Sequence, residues 1–209
     1  MSPQAVDKAK REATPDVPSN GGPPCVRPRR WSTAEYYLLA EAGILRDDER
    51  VELIDGEILL HMSPINSPHR VAVYKTVRRI EAAAGAGYYV DAQMPISLAD
   101  GQEPQPDVFV ARGMVENYAD HHPSPRDLVL VVEVSDTSIA FDRTRKAALY
   151  GAAGIGEYWL IDLKARALEV RRSPAADGVY QTVHVLSEGD AHAPLFLPQT
   201  AIPVRDLLP

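Results

Sequence analysis

A nearly continuous apolar run occupies residues 127–135, whose sequence is DLVLVVEVS. Branched aliphatic residues without polar alternation are typical of a strand that is covered on both faces. The far end of this run carries one carboxylate, Glu133. A buried carboxylate without a partner costs several kcal/mol or takes up a proton. We therefore predict that Glu133 is paired with an arginine, a lysine or a metal ion.

Upstream of this strand, the pattern predicts a helix and a hairpin. Ser32-Thr33-Ala34-Glu35 has the arrangement of a capping box, which predicts a short helix that ends near Gly43. Residues 51–54 and 57–62 flank Asp55-Gly56, a pair that favours a tight turn with positive φ at both central positions. These two segments are therefore predicted to form a hairpin, with Glu52 in its first arm.

A second helix is predicted over residues 69–84, because Ser67-Pro68 places a proline near its start and Val73, Val77 and Ile80 keep helical spacing. A third is predicted over residues 140–153, between a polar capping cluster and a glycine. Further strands are predicted at residues 88–93, 94–98, 108–111, 158–162, 167–172 and 180–186. This order predicts an α/β fold with a mixed central β-sheet flanked by helices.

The domain organisation follows from the distribution of apolar residues. Residues 1–28 combine charges with proline, glycine and serine, and they contain too little apolar material to offset the entropy of ordering. We predict a disordered N-terminal tail there and one domain over residues 29–209. The chain of 209 residues is 45% hydrophobic, which is ample for a core of that size.

Composition narrows the functional classes. No apolar run approaches the length of about 18 residues that a membrane span needs, and no secretory signal pattern opens the chain, so we expect a soluble, cytoplasmic protein. Cys25 is a single cysteine, which excludes an internal disulfide, and no cysteine and histidine cluster has zinc-ligand spacing. The net charge of −7 argues against retention on nucleic acid by non-specific electrostatics, but it allows an enzyme whose acidic site is neutralised by a metal.

Two carboxylates are candidates for one site. Asp107 enters the strand before the one that carries Glu133, and consecutive strands are neighbours about two-thirds of the time. Magnesium binds one or two carboxylates together with water and substrate phosphate, which this pair can supply. The alternative is structural: Asp107 caps a turn after Pro106, and Glu133 pairs with a basic side chain at a strand end. The spacing alone leaves both interpretations open.

The third candidate is Lys146 in the helix that follows. Asp142 and Lys146 are four residues apart and share a helix face, so they could form an ordinary surface pair. Alternatively, Lys146 points back at Glu133, where an ammonium group can hold a water or a phosphate oxygen during hydrolysis. The apolar residues 147–150 favour packing on the sheet and hence the second interpretation. Arg143, Arg145, Lys146, Arg171 and Arg172 either follow a phosphate backbone or cover solvated faces.

These segments together resemble the Uma-type family of restriction endonucleases, which belongs to the PD-(D/E)XK nuclease superfamily. The resemblance covers residues 33–172. The segments that carry it are Arg50 to Glu57, His69, Pro106-Asp107, Glu133-Val134-Ser135, Asp142 to Lys146, Tyr150-Gly151 and Gly154 to Asp162.

The resemblance implies a restriction-endonuclease-like core that uses Mg²⁺ or Mn²⁺ to hydrolyse phosphodiester bonds in DNA. It implies that Asp107, Glu133 and the Val134 carbonyl bind the metal, and it makes a homodimer plausible. The lysine expected two residues after Glu133 is Ser135 in this chain. Lys146 is then expected to take over the lysine's role.

The same resemblance adds two further candidate site residues. Glu52 is expected to add a carboxylate from the hairpin, and His69 to reach the site from the start of its helix, although an ordinary helix position is equally open for His69. A second functional class also stays open, because a domain of the same fold can be catalytically inactive and act as a dimeric binding or assembly module.

Overall fold

The computed structural model describes residues 27–46, 48–61 and 66–209. The predicted tail, except for its last two residues, lies outside the described residues. The described helices and strands, in chain order, are α1 Thr33–Glu41, β1 Val51–Ile54, β2 Glu57–Leu60, α2 Ser67–Ala84, β3 Tyr88–Asp91, β4 Val108–Arg112, β5 Leu128–Ser135, α3 Ile139–Phe141, a π-helix Asp142–Lys146, α4 Ala147–Ala152, β6 Glu157–Asp162, β7 Ala167–Pro174, β8 Tyr180–Ser187, β9 Ala191–His192 and β10 Ile202–Pro203. None of the described helices combines the length and the apolar character needed to cross a membrane.

Six strands form one mixed sheet in the order β3-β4-β5-β6-β7-β8. All neighbouring strands are antiparallel except β5 and β6, which are parallel and are joined through α3, the π-helix and α4. The predicted α/β class with a mixed, helix-flanked sheet is confirmed.

Both faces of β5 are covered, which explains its continuous apolar sequence. Leu130, Val132 and Val134 pack into a core on the face where α2 lies, and Val131 packs into a second core beside α4. Because side chains alternate along a strand, Glu133 points to the α4 face. The predicted buried strand is confirmed, and Glu133 is only 3% exposed.

The helix predicted over residues 140–153 is interrupted by a π-turn. The backbone N–H of Ala147 donates to the carbonyl of Asp142, five residues earlier, which is the π-helical pattern. Further on, a side chain at Gly151 would overlap the carbonyl oxygen of Gly178, so a glycine is needed where α4 crosses the turn between β7 and β8. This close approach holds the helix against the sheet.

The hairpin of β1 and β2 is confirmed. Asp55 and Gly56 have φ of 54° and 68°, as the tight turn requires. Arg145 joins this hairpin to the π-helix, because its guanidinium donates to the carbonyl of Ile54 at 3.1 Å and to Glu57 at 2.7 Å. The hairpin and the π-helix are thereby joined, and both line the same cavity.

Two sequence predictions differ from the structure. Residues 94–98 do not form a strand; they have no regular secondary structure, and the N–H of Ile96 donates to the carbonyl of Pro104 at 3.0 Å. The two-stranded ribbon of β9 and β10 lies beyond residues 180–186, the last strand predicted from the sequence. Leu207 and Leu208 beyond it are fully buried in the α2-side core, so tertiary packing orders this segment.

Candidate active site

A cavity of about 390 Å³ lies at the strand ends of the sheet, where β4 begins and β5 ends. The hairpin, the start of α2 and the π-helix complete its wall. Five carboxylates line it, against two permanently cationic side chains, Arg50 and Lys146. The excess of negative charge in a partly enclosed space is the main electrostatic feature of the cavity.

Asp107 and Glu133 lie side by side because β4 and β5 are antiparallel neighbours, so the start of one meets the end of the other. The backbone N–H of Val134 donates to Asp107 Oδ2 at 2.9 Å, and the N–H of Asp107 lies 3.4 Å from Glu133 Oε2. Burial would raise the pKa of Asp107, but hydrogen bonding to His69 and Val134 outweighs it and lowers that pKa.

Lys146 is buried in the cavity floor. Its Nζ donates to Glu133 Oε1 and to Glu52 Oε1, each at 2.9 Å, and the residue is 2% exposed. Burial alone would lower the pKa of Lys146, but the charges of Glu133 and Glu52 raise it overall, so the ammonium form is retained. The surface pair with Asp142 that the sequence left open is wrong.

Glu52 reaches the floor from β1. Its Oε1 also accepts from the N–H of Gln105 at 2.7 Å, and its Oε2 accepts from His61 Nε2 at 2.8 Å. Burial opposes ionisation, but the charge of Lys146 and the hydrogen bond from His61 lower the pKa of Glu52 to about 2. Sequence reasoning missed His61 and Gln105, although His61 follows β2 directly and so lies opposite the start of β1.

The pKa of Glu133 is shifted upward, in the opposite direction to that of Glu52. Its burial raises its pKa well above the ordinary value; the charge of Lys146 counteracts this, while Asp107, Asp142 and Glu52 add to it. The hydroxyl of Tyr150 donates to Glu133 Oε1 at 2.6 Å. Sequence reasoning did not assign Tyr150 to the site, although its position four residues after Lys146 on an α-helical turn was a usable signal.

His69 is placed by the cap of α2, where the Asn66 side chain accepts from the backbone N–H of His69 at 2.9 Å. Its Nε2 lies 3.1 Å from Asp107 Oδ2. Burial lowers the pKa of His69, but the contacts with Asp107 and the Val134 carbonyl raise it overall. Its Nδ1 is buried without a hydrogen-bond partner among the described residues. That nitrogen therefore has spare capacity for a bound group.

Ser135, two residues after Glu133, is fully buried and takes part in a hydroxyl chain. Its Oγ lies 3.1 Å from Ser138 Oγ, which donates to Asp142 Oδ2 at 2.6 Å. This chain fixes the start of the π-turn. Burial raises the pKa of Asp142, against the hydrogen bond from Ser138.

The donor set fits a hard divalent cation. Asp107 Oδ1 and Glu133 Oε2 have only long hydrogen bonds, of 3.5 and 3.4 Å, so both oxygens keep lone pairs for a further ligand. No three histidine, cysteine or acidic side chains in the described part of the chain form a preassembled metal site. Magnesium, however, needs only one or two carboxylates, with water and substrate as its other ligands.

The arginines that the sequence offered as contacts to a phosphate backbone are paired with carboxylates of the protein itself. Each of the four forms an ion pair with acidic side chains: Arg143 with Asp162 and Glu169, Arg145 with Asp55 and Glu57, Arg171 with Glu169 and Arg172 with Glu157. They tie elements together and do not form a free basic surface.

The fold and the site define an α/β protein with an acidic cavity where β4 begins and β5 ends. A solved structure described as a putative nuclease belonging to DUF820 from Anabaena variabilis is similar to this chain, with a TM-score of 0.59 over 75% of this chain and 88% of that chain. The identity is 18%, so this likeness concerns the fold. The family Uma2, described as "Putative restriction endonuclease", matches residues 33–205, and the chain belongs to this family. No curated protein sequence matches the chain.

Proposed function

We propose that the protein is a metal-dependent endonuclease that hydrolyses phosphodiester bonds in DNA. Family membership and the nuclease-like fold support the class of reaction. The observation that carries the proposal is the placement of Lys146 Nζ at 2.9 Å from Glu133, in the cavity that Asp107 also lines. In metal-assisted phosphodiester hydrolysis, a carboxylate pair can bind the metal and an adjacent ammonium group can stabilise negative charge.

In this proposal Asp107, Glu133 and the Val134 carbonyl hold Mg²⁺ or Mn²⁺. Such a cation acidifies water and neutralises the charge that develops on the phosphate. Burial and the neighbouring carboxylates raise the pKa of Glu133, and a bound cation would offset both effects. Metal binding and the ionised form of Glu133 therefore favour each other.

Other side chains of the cavity orient the reacting groups and position the proposed metal ligands. Lys146 orients the attacking water or stabilises the negative charge of the transition state, and Glu52 holds the ammonium group in place. Tyr150 fixes the rotamer of Glu133 by its hydrogen bond, and His69 does the same for Asp107. Because Lys146 approaches from the helix, the β5 position two residues after Glu133 is free to be Ser135.

The inward position of Lys146 favours an enzyme over a catalytically inactive binding or assembly module, for which a solvent-facing lysine was the expectation. The homodimer and the cytoplasmic location expected from the sequence stay part of the proposal. Light scattering on purified protein and fractionation of cells that express it test these two points directly.

Plasmid cleavage in Mg²⁺ or Mn²⁺ tests the catalytic assignment. Asp107→Ala, Glu133→Ala and Lys146→Ala should each abolish nicking and cleavage, because each removes a metal ligand or the ammonium group. Asp120→Ala is the matched control, since that side chain lies exposed in a loop outside the cavity. Equal activity in the wild type and the three site variants would contradict the assignment.

A further inference from the structure

The described residues that line the cavity include one arginine, Arg50, which none of the roles proposed above uses. It lies two residues before Glu52, so the alternation of side chains along a strand directs both toward the same face. Its backbone is fixed, because the N–H of His61 donates to the carbonyl of Arg50 at 2.9 Å. The side chain is half-buried beside the acidic floor.

Arg50 has no carboxylate partner among the residues that the structure describes. Ten other arginines in the described ranges do form such ion pairs. The five carboxylates of the cavity are engaged instead with Lys146, the histidines, Lys164 and Ser138. An unpaired guanidinium among so many acids is therefore available for an anion that comes from outside.

The position of Arg50 relative to His69 shows where that anion would bind. Arg50 and His69 line the same cavity, and His69 Nε2 lies 3.1 Å from Asp107 Oδ2. Arg50 therefore shares its cavity with the carboxylate pair of Asp107 and Glu133. Five carboxylates in the cavity repel a phosphate, and a permanent positive charge at the rim offsets this repulsion where the backbone enters.

We propose that the Arg50 guanidinium binds the non-bridging oxygens of a DNA phosphate at the cavity mouth. The inference rests on the proposed function, because it identifies a contact to the substrate of that same site. A planar guanidinium matches two phosphate oxygens at once, which an ammonium group cannot do. Arg50 is a substrate-binding residue in this assignment, separate from the carboxylates that hold the metal.

The test measures binding of a fluorescein-labelled, mixed-sequence DNA duplex, and of one of its single strands, by anisotropy in Ca²⁺. Arg50→Gln should weaken binding about tenfold to a hundredfold, the range for a charge-assisted hydrogen bond. The salt dependence of duplex binding should become shallower by about 0.9 in the log–log slope, corresponding to one lost phosphate contact. Arg50→Lys should recover part of the affinity.

The matched control is Arg112→Gln, which removes the same charge at the opposite end of β4 from Asp107 and outside the cavity. Its binding should equal that of the wild type. The melting temperature of Arg50→Gln should also be unchanged, because no partner is lost, and this separates a binding effect from unfolding.

The outcomes separate this inference from the proposed function. If the wild type cleaves DNA in Mg²⁺ and Arg50→Gln binds and cleaves like Arg112→Gln, the role of Arg50 is refuted and the nuclease assignment stands. If DNA binding depends on Arg50 but no cleavage occurs with either metal, the role of Arg50 stands and the nuclease assignment fails. A wild type that binds neither form of DNA overturns the role of Arg50.

Discussion

Glu133 and Glu157 are both buried, on neighbouring parallel strands, yet their surroundings are opposites. Glu157 lies on the α2 side of the sheet and is saturated with donors. Its hydrogen bonds come from the Arg172 guanidinium, the Trp159 indole, the His192 imidazole and the backbone N–H of Leu195. Burial would raise the pKa of Glu157, but these donors, His192 foremost, hold it below the ordinary value.

Glu133, on the other face, has few donors and many acidic neighbours. Lys146 and Tyr150 both bond one oxygen, while the other oxygen has one long contact. Its pKa is raised where that of Glu157 is lowered. The difference shows that burial alone does not mark a functional acid. A carboxylate whose charge is matched stabilises the fold, whereas a buried carboxylate among other acids marks a candidate functional site.

The largest contrast is expected in activity. Glu133→Gln should lower the rate of plasmid cleavage at least about a thousandfold, because a neutral amide replaces the carboxylate that we propose as a metal ligand. Glu157→Gln should leave that rate unchanged, since Glu157 faces away from the cavity. Rates would be measured in Mg²⁺ at a temperature where circular dichroism shows both variants folded. A comparable loss in both variants would remove the functional distinction between the two glutamates.

A smaller contrast of opposite sign is expected in stability. Glu157→Gln should lower the free energy of unfolding by about 3 kcal/mol, because the buried end of the ion pair is neutralised and the half-buried Arg172 loses its charged partner. Glu133→Gln should raise it by about 1 kcal/mol, because one of several crowded charges is removed. Urea unfolding in EDTA measures both. If Glu133→Gln destabilises the protein as much as Glu157→Gln, Glu133 is a structural ion-pair residue.

The smallest contrast concerns pH. Above pH 4.5, the ordinary value, folded Glu133 keeps a proton that the unfolded chain releases, so its contribution to stability falls as pH rises toward its raised pKa. Near pH 4.5, folded Glu157 has already released a proton that the unfolded chain still partly keeps. The contribution of Glu157 to stability therefore falls as the pH drops toward its lowered pKa. Each unit of pKa difference corresponds to about 1.4 kcal/mol.

Urea unfolding of each glutamine variant against the wild type, on both sides of pH 4.5, measures these slopes. The stabilisation by Glu133→Gln should grow with rising pH. The destabilisation by Glu157→Gln should shrink as the medium becomes more acidic. Parallel slopes for the two variants would contradict the opposite pKa shifts.

Local patterns in the sequence were sufficient to predict most of the helices and strands. The capping box of α1, the Asp55-Gly56 turn and the apolar run of β5 depend on neighbouring residues, and all three are present as predicted. The π-turn at 142–146 has no comparable local signature. It arises where Arg145 is anchored to the hairpin and Lys146 to two buried carboxylates, contacts that span about ninety residues in the case of the hairpin.

The sequence by itself determined the fold class, the family and the identity of the candidate carboxylates, because these depend on apolar periodicity and on short motifs. Only the tertiary structure decided which of the two possible partners Lys146 has, that Tyr150 contacts Glu133 and that His61 lines the cavity. It also distinguished Glu133 from Glu157, which have similar strand settings in the sequence. The physical reason is that the charge state of a buried group depends on every charge around it, and chain folding alone brings those charges together.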